Sequence, residues 1–275
     1  MSKFLSGGYL PVGHYEEALG ALHGAIGILL FEFAKEEREK RDIIIRNQIA
    51  RTDMMARSIF RLWSIEDYQD CWILHRCLME RLFHLFHLRE NGQFEEFEAW
   101  SFLEQYNAIN RVRSDPDFAK SPVNRLLLVT PEQKKRARNL CKAPPKWQRP
   151  KAEDVAKSMD LRFLYRYGYD YASRHVHPMA DDGLRDFHTI TRLEPAPDFP
   201  DERAVLSNTL LVATMVVQEG LNASTMSWRA LVYDFLDHLR RFLGNGVDDY
   251  KATFVQLARA FEQHFPLCQS PAERR

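Results

Sequence analysis

The chain has 275 residues, of which 45% are hydrophobic and 12% aromatic, a composition that is typical of a packed globular protein and excludes a disordered one. Its length allows one large domain or two small ones. The 38 basic and 38 acidic side chains cancel, so no overall charge draws the protein to nucleic acid or to an anionic membrane, and any such contact must be local.

Hydrophobic residues recur with helical periodicity from His14 to about Arg113, a stretch without proline. We predict three or four helices here, at roughly residues 14–34, 36–63, 66–90 and 93–113. Ser64 with Asp67 predicts a capping box at the start of the third helix, and Asn91-Gly92 predicts its end.

Six prolines between residues 114 and 151 predict a connector in which Pro131 opens only a short helix. Further helices are expected at 151–159, 161–177, 203–222, 225–243 and 247–265, with a proline-rich loop at 178–201. The sequence therefore predicts a single all-α domain spanning residues 1–275. Its N-terminal helices (12–113) and C-terminal helices (152–265), joined by the proline-rich basic connector (114–151), form two helical groups that share one core.

Cysteine usage and the N-terminal residues predict a cytoplasmic protein. Cys71, Cys77, Cys141 and Cys268 show no Cys-x-x-Cys pairing, which is typical of reduced thiols. The N-terminus has no apolar run of the signal-peptide type, and the apolar stretch at 21–33 is too short to cross a bilayer. We expect no membrane contact.

Hydroxyl and imidazole side chains occupy every fourth position of one predicted helix, at Tyr165, Tyr169, Ser173 and His177, and Pro178 follows. Consecutive members of such a row are neighbours on a helix, although the row turns by about 40° at each step. Ser173 is placed to bond back to the carbonyl four residues earlier. Because the residue before a proline leaves the helical region, His177 is expected at a helix end, where it marks a candidate site.

A second group of ionisable side chains, Arg76, Glu80, His84 and His87, shares one sector of the helix predicted around residues 72–88. The sector is either a solvent-exposed face or one wall of a cleft, and Phe83 within it favours the cleft. Arg76 and Glu80, four residues apart, are placed to form an ion pair.

The same sector allows a metal-binding interpretation, with Glu80, His84 and His87 as ligands and His175 or His177 joining them from the later helix. The usual ligand spacings of zinc sites and the Glu-x-x-His motif of di-iron bundles are absent, however. No P-loop, dinucleotide fingerprint or Gly-x-Ser-x-Gly elbow is present, so the sequence gives no support to nucleotide hydrolysis or serine hydrolase chemistry. We predict no cofactor.

A basic cluster lies in the connector and contains Trp147 together with Lys134, Lys135, Arg136, Arg138, Lys142, Lys146, Arg149 and Lys151. The cluster would bind RNA or a nucleotide, because its cations would contact phosphates and its indole would stack on a base. The alternative is a solvated, charged loop.

Residues 75–82 and 147–178 resemble a bacterial family catalogued as domain of unknown function 5677. The family pattern is an Arg-x-x-x-Glu helix, then a tryptophan, a short helix and a Tyr-x-x-x-Tyr-x-x-x-Ser-x-x-x-His-Pro-like segment. The matching residues are Arg76, Glu80, Trp147, Tyr165, Tyr169, Ser173 and His177. The resemblance covers roughly residues 60–240 and brings no activity with it, because the family is uncharacterised.

A second analogy is to the HEPN superfamily of helical ribonucleases and nucleotide-binding proteins, which is common in toxin–antitoxin and phage-defence systems. Those enzymes use an arginine followed closely by a histidine to cleave RNA through its own 2′-hydroxyl. Arg81 with His87 and Arg259 with His264 fit that spacing, but about three such pairs are expected by chance. The analogy therefore rests on helical architecture and helix-end histidines.

We hypothesise that Arg76, Glu80, Ser173 and His177 meet in one polar pocket. His177 would act as general acid or base, Arg76 would stabilise an anion, and Glu80 would orient either partner. Tyr169, Arg174 and Trp147 are expected to contact the substrate.

The predicted chemistry is metal-independent phosphodiester cleavage of RNA or a nucleotide by a toxin or phage-defence component. One alternative is a non-catalytic interaction or sensing module, with another protein or a second copy of the chain as its partner in a homodimer. The other is a metal-binding helical protein.

Overall fold

In a computed structural model of the chain, the described residues are 8–34, 39–119, 128–177, 179–180, 183–193, 201–224, 226 and 229–264. These residues form helices and no strand, which confirms the all-α prediction. The α-helices are α1 (Val12–Phe33), α2 (Lys40–Ser64), α3 (Tyr68–Asn91), α4 (Phe94–Ser114), α5 (Pro116–Ala119), α6 (Pro131–Lys142), α7 (Ala152–Ser158), α8 (Arg162–Leu164), α9 (Tyr171–Arg174), α10 (Leu184–Thr191), α11 (Arg203–Ala223), α12 (Arg229–Asn245) and α13 (Tyr250–His264). A π-helix, Tyr165–Asp170, joins α8 to α9.

The central helix of the core is α11, which packs against α1, α2, α3 and α12. Its buried side chains are mainly Val, Leu, Ala and Thr on all sides of the helix, as expected for a helix surrounded by others. The continuous core includes side chains from Tyr15 in α1 to Leu257 in α13. The N-terminal and C-terminal helical groups therefore share one core, as predicted.

Among the described residues, α11 is also the one helix whose length and composition would allow it to span a bilayer. Of its most apolar window, 61% is buried inside the protein. Its packing against four other helices accounts for that composition without a membrane.

Local signals set both ends of α3. The side chain of Asp67 accepts a hydrogen bond from the backbone N–H of Asp70 at 3.2 Å, and Gly92 ends the helix with φ of 61°, a left-handed conformation that suits glycine. The predicted end is confirmed. The predicted capping role of Ser64 is wrong, because Ser64 is the last residue of α2 and its hydroxyl donates to the carbonyl of Arg61.

The connector contains a longer helix than expected, because α6 has 12 residues. Pro131 occupies its first turn, and Thr130 and Gln133 form a reciprocal capping box in front of it. The first five residues of the basic cluster therefore lie on a helix and not in a loop. Likewise, α10 lies within the stretch 178–201, which was predicted to be a loop.

The helix predicted at 161–177 is divided into α8, the π-helix and α9, and it ends at Arg174, three residues before His177. A π-helix has more residues per turn than an α-helix, so a four-residue row drifts less around its axis. The rings of Tyr165 and Tyr169 consequently stack, with centroids 5.4 Å apart and planes inclined by 17°.

Candidate functional site

The walls of the candidate site are α3 and the segment 162–174, which pack side by side. Gly168 of the π-helix makes the close approach possible. A Cβ atom at Gly168 would lie 3.0 Å from Sδ of Met79 and 3.6 Å from Nε2 of His75. Both α3 side chains are fully buried, so the backbone of the π-helix rests directly on α3.

Four polar side chains meet at this contact, and we call Arg76, Glu80, Tyr169 and Ser173 the Arg76 cluster. The guanidinium of Arg76 donates from Nε to Ser173 Oγ at 3.0 Å and from Nη2 to the hydroxyl of Tyr169 at 3.0 Å. Its Nη2 also lies 3.1 Å from Oε1 of Glu80. The cluster thus joins α3 to both the π-helix and α9.

The two hydroxyl groups of the cluster are fully used. Tyr169 donates to Oε1 of Glu80 at 2.9 Å, and Ser173 donates to the backbone carbonyl of Tyr169 at 2.7 Å, which confirms the predicted back-bond. Burial and the hydrogen bond to Glu80 raise the pKa of Tyr169 to about 12. The phenol therefore stays protonated at neutral pH and continues to donate to Glu80.

The cluster is only partly enclosed. The side chains of Arg76 and Glu80 are 25% and 26% exposed. Within the part of the chain that the structure describes, Nη1 of Arg76 makes no hydrogen bond. The arginine is thus fixed on one side and open on another, which suits an anion acceptor.

His177 takes no part in the hydrogen bonds of the Arg76 cluster. Its side chain is exposed in a bend beyond α9, and it forms no hydrogen bond to another described residue. Arg174, the last residue of α9, is also exposed. The structure therefore joins three of the four predicted catalytic residues, together with Tyr169, and leaves His177 and Arg174 at the surface.

Trp147, which was expected to stack on a base, is 2% exposed. Its ring lies 4.4 Å from that of Trp100 and 4.9 Å from that of Phe97, both on α4, and 5.9 Å from that of His84 on α3. A ring enclosed in this way has no face free for a nucleotide. Trp147 instead attaches the connector to α3 and α4.

The residues of the metal-binding interpretation do not come together. Across the described ranges, no group of three or more His, Cys, Asp or Glu side chains is placed to share an ion. Burial, and next the nearby charge of Arg149, lower the pKa of His84 to about 4, while His87 contacts Asn91 one turn later. The geometry gives no support to a site made of Glu80, His84 and His87.

Of the two Arg/His pairs with the HEPN-type spacing, only Arg81 and His87 have both side chains within the described residues. Arg81 donates from Nη1 to Gln48 at 2.7 Å and from Nε to the sulfur of Met55 at 3.1 Å, so it faces α2 and has no contact with His87. For the second pair, the side chain of His264 lies outside the described residues.

A second polar group, centred on Glu202, lies next to the Arg76 cluster and was not predicted from the sequence. Glu202 accepts from the indole of Trp72 at 3.0 Å and forms an ion pair with Arg185 of α10. Its backbone carbonyl accepts from Trp63 at 3.1 Å, and the Arg185 guanidinium lies over the ring of Tyr68 at 4.9 Å. This group attaches α10 and the start of α11 to α3.

One pattern in the sequence indicates the polar group centred on Glu202. Every fourth position of this part of α3 holds an aromatic or ionisable side chain: Tyr68, Trp72, Arg76, Glu80 and His84. Each of them faces a partner from a later part of the chain, and the partners include Arg185, Glu202, Ser173, Tyr169 and Trp147. The row on α3 therefore continues beyond the four ionisable residues that were singled out.

Residues 42–191 match the profile of a family of unknown function, DUF5677, and they make up more than half of the chain. The chain belongs to this family. The DUF5677 match begins in α2, ends with α10 and contains the whole Arg76 cluster, whereas α11, α12 and α13 lie outside it. It therefore starts and ends earlier than the expected range of 60–240. No curated protein and no solved structure matches the chain significantly.

Proposed function

We propose that this DUF5677 protein is a metal-independent ribonuclease of the HEPN-like kind, acting in a toxin or phage-defence setting, and that Arg76 binds the scissile phosphate. One observation carries the proposal. The guanidinium of Arg76 is fixed through Nε and Nη2, while Nη1 has no partner among the described residues and a quarter of the side chain is exposed.

The fixed orientation of Arg76 supports a role in transition-state stabilisation. A guanidinium offers planar, paired donors that match a phosphate, and an arginine that is already oriented loses little rotamer freedom on binding. Tyr169 and Ser173 hold it from one side, and Glu80 accepts from both Tyr169 and the guanidinium. In this proposal Glu80, Tyr169 and Ser173 are positioning residues.

The reaction would be an attack of the 2′-oxygen of RNA on the adjacent phosphorus, which breaks the bond to the 5′-oxygen and leaves a cyclic phosphate. The 2′-hydroxyl loses a proton, the leaving oxygen gains one, and Arg76 neutralises the added negative charge at phosphorus. Proton transfer falls to His177, since imidazole is the side chain most often used for it near neutral pH. Ser173 does not serve as a nucleophile, because its hydroxyl proton is directed at the carbonyl of Tyr169.

The test is incubation of the purified full chain with labelled RNA and, separately, with nucleotides, in the presence of a metal chelator. We expect cleavage of RNA that falls about 10²–10³-fold in Arg76→Ala and about 10²–10⁴-fold in His177→Ala. His14→Ala is the matched control, because His14 is an exposed histidine on α1. No cleavage by the natural chain, or equal cleavage by all variants, would refute the proposal.

A second candidate is a non-catalytic interaction or sensing module, whose partner is another protein or a second copy of the chain. The full use of both hydroxyl groups favours it, since a satisfied network is also what a purely structural contact requires. In that case the natural chain would cleave no RNA, and a lower free energy of unfolding would be the only effect of Arg76→Ala.

A cytoplasmic location forms part of the proposal. The three cysteines within the described residues, Cys71, Cys77 and Cys141, are free thiols, and reduced thiols are typical of that compartment.

A further inference from the structure

One face of α6 is strongly basic. Lys134, Lys135, Arg138 and Lys142 fall within a sector of about 100° when successive residues are placed on a helical wheel. All four side chains are exposed. The helix therefore presents a row of cations to solvent over most of its length.

The opposite face of α6 fixes this orientation. Ala137 is 1% exposed, and Arg136 forms an ion pair with Glu98 of α4 while its guanidinium lies 4.2 Å from the ring centre of Phe102. Lys40 of α2 also lies 3.6 Å from Glu98. These contacts hold α6 on α4, so the basic face cannot turn inward without breaking them.

The positive charge continues past the end of α6. Residues 134–151 contain eight basic and no acidic side chains, although the whole chain has 38 of each. Seven of these cations are exposed and form no ion pair with any described residue, and we call them the basic strip: Lys134, Lys135, Arg138, Lys142, Lys146, Arg149 and Lys151. A concentration of charge without counter-ions attracts a polyanion.

The second half of the basic strip lies against α3, the helix that carries Arg76 and Glu80 of the Arg76 cluster. Buried Trp147 holds this half against α3 and α4, and the backbone N–H of Lys146 donates to Glu96 at 2.8 Å. The charge of Arg149 acts on His84, which lies one helical turn from Glu80 of the cluster. A chain of phosphates that follows the strip would therefore reach α3 at His84, one helical turn from Glu80.

We propose that the basic strip binds the phosphate backbone of single-stranded RNA and delivers it to the Arg76 cluster. This inference rests on the proposed function in taking RNA as the substrate. Recognition through lysine and arginine contacts to phosphates carries no base information, so binding along the strip is independent of sequence. The burial of Trp147 is consistent with this, since its ring is not free to stack on a base.

The composition of α6 argues against a membrane as the partner. Helices that lie in a membrane interface bury large apolar side chains opposite their cations. The apolar residues opposite the basic face of α6 are instead turned toward the protein, and none of the large ones is exposed.

The test is fluorescence anisotropy with a fluorescein-labelled single-stranded RNA of mixed sequence, titrated with the full chain at several salt concentrations. His177→Ala is introduced throughout to prevent cleavage. The strip variant carries Lys135→Gln, Arg138→Gln and Lys142→Gln. The control carries Arg241→Gln, Lys251→Gln and Arg259→Gln, which remove the same charge from exposed positions on α12 and α13.

We expect the strip variant to bind RNA about ten-fold or more weakly, and the slope of log affinity against log salt to decrease by about 0.7 for each lost contact. The control should bind as the parent does. Equal affinity of the strip variant and the control, no RNA binding by the parent, or binding to anionic vesicles in place of RNA would each overturn the inference.

The failure of this inference differs from the failure of the proposed function. If RNA binds along the strip and the natural chain cleaves none, the ribonuclease proposal fails, whereas the inference that the strip binds RNA stands. If the natural chain cleaves RNA and the strip variant binds it unchanged, the strip inference alone fails.

Discussion

Arg76 and Ser173 are 97 residues apart in the sequence and are joined by a hydrogen bond of 3.0 Å from Nε to Oγ. The serine that accepts this bond also donates to the carbonyl of Tyr169, and the hydroxyl of Tyr169 accepts from the same arginine. Arg76 therefore fixes the position of α9 and of the π-helix on α3. Its removal is expected to lower the stability of the protein and, under the proposed function, its cleavage of RNA.

A double-mutant cycle of Arg76→Ala and Ser173→Ala tests the contact. Each single change should lower the free energy of unfolding by about 1–3 kcal/mol, since both side chains are half-buried and each leaves a partner unsatisfied. The double variant should lose about 0.5–1.5 kcal/mol less than the sum of the two. Urea unfolding measures all three values, and strict additivity would show that the two side chains do not interact in solution.

Gly168→Ala tests the close approach of the π-helix to α3. The new methyl group would lie 3.0 Å from Sδ of Met79, which must move, so we expect the free energy of unfolding to fall by about 1 kcal/mol. Gly20→Ala is the matched control, because nothing lies within 4 Å of a Cβ atom there. Alanine is a better helix former than glycine, and Gly20→Ala should stabilise α1 by about 0.5–1 kcal/mol. An equal gain from both substitutions would contradict the close packing of Gly168 on Met79.

Because His75 is buried, we predict that the protein loses stability in mild acid. This histidine is fully buried beside Thr209, and burial lowers its pKa to about 4. The unfolded chain, with an ordinary histidine pKa of about 6.5, binds more protons between these values. Stability is therefore unaffected above the unfolded pKa and decreases as the pH falls from there toward the folded pKa. Half-buried His84, whose pKa is also lowered, acts in the same direction.

The measurement for His75 is urea unfolding at neutral pH and at about pH 5. His75→Gln removes the titrating group. From neutral pH to about pH 5, the free energy of unfolding of this variant should therefore fall by about 2 kcal/mol less than that of the natural chain. His14→Gln, at an exposed position, should follow the natural chain. If His75→Gln shows the natural pH dependence, the histidine is not held neutral in the fold.

Glu202→Ala is expected to release α10. The substitution removes the ion-pair partner of Arg185 and the acceptor for the indole of Trp72. Trypsin should then cleave after Arg185 or Arg192 roughly ten-fold faster, because one charged hydrogen bond contributes about 1.5–3 kcal/mol to closing the segment. Glu219→Ala, which removes the partner of Arg89 elsewhere on α11, is the control. Unchanged cleavage in Glu202→Ala would show that other contacts hold α10.

The long helices could be predicted because their signals are local. Periodic apolar residues give α1, α2, α3, α4 and α11, and Gly92 ends α3 through its own backbone conformation. The pairing of Arg76 with Glu80 follows from their spacing of four residues on one helix. That Ser173 joins Arg76 and Glu80 was predicted from its row and from the family pattern, whereas Tyr169 was predicted only to contact the substrate.

The remaining features depend on contacts between distant parts of the chain. Trp147 was assigned to a surface because its neighbours in sequence are cations, while the aromatic rings that bury it come from α3 and α4. Glu202 was missed because its partner Trp72 lies 130 residues earlier. The π-helix has no sequence period of its own that distinguishes it from an α-helix, so the end of the helix at Arg174, three residues before His177, could not be anticipated.

The central claim is that Arg76 stabilises an attack by the 2′-oxygen of RNA, and comparison of an RNA with its 2′-deoxy counterpart tests it most directly. With a chelator present, the natural chain should cleave the RNA to a product ending in a cyclic phosphate and leave the deoxy strand intact. Arg76→Ala should lose about 10²–10³-fold in rate. Cleavage of the deoxy strand at the same rate, or full activity in Arg76→Ala, would contradict the account.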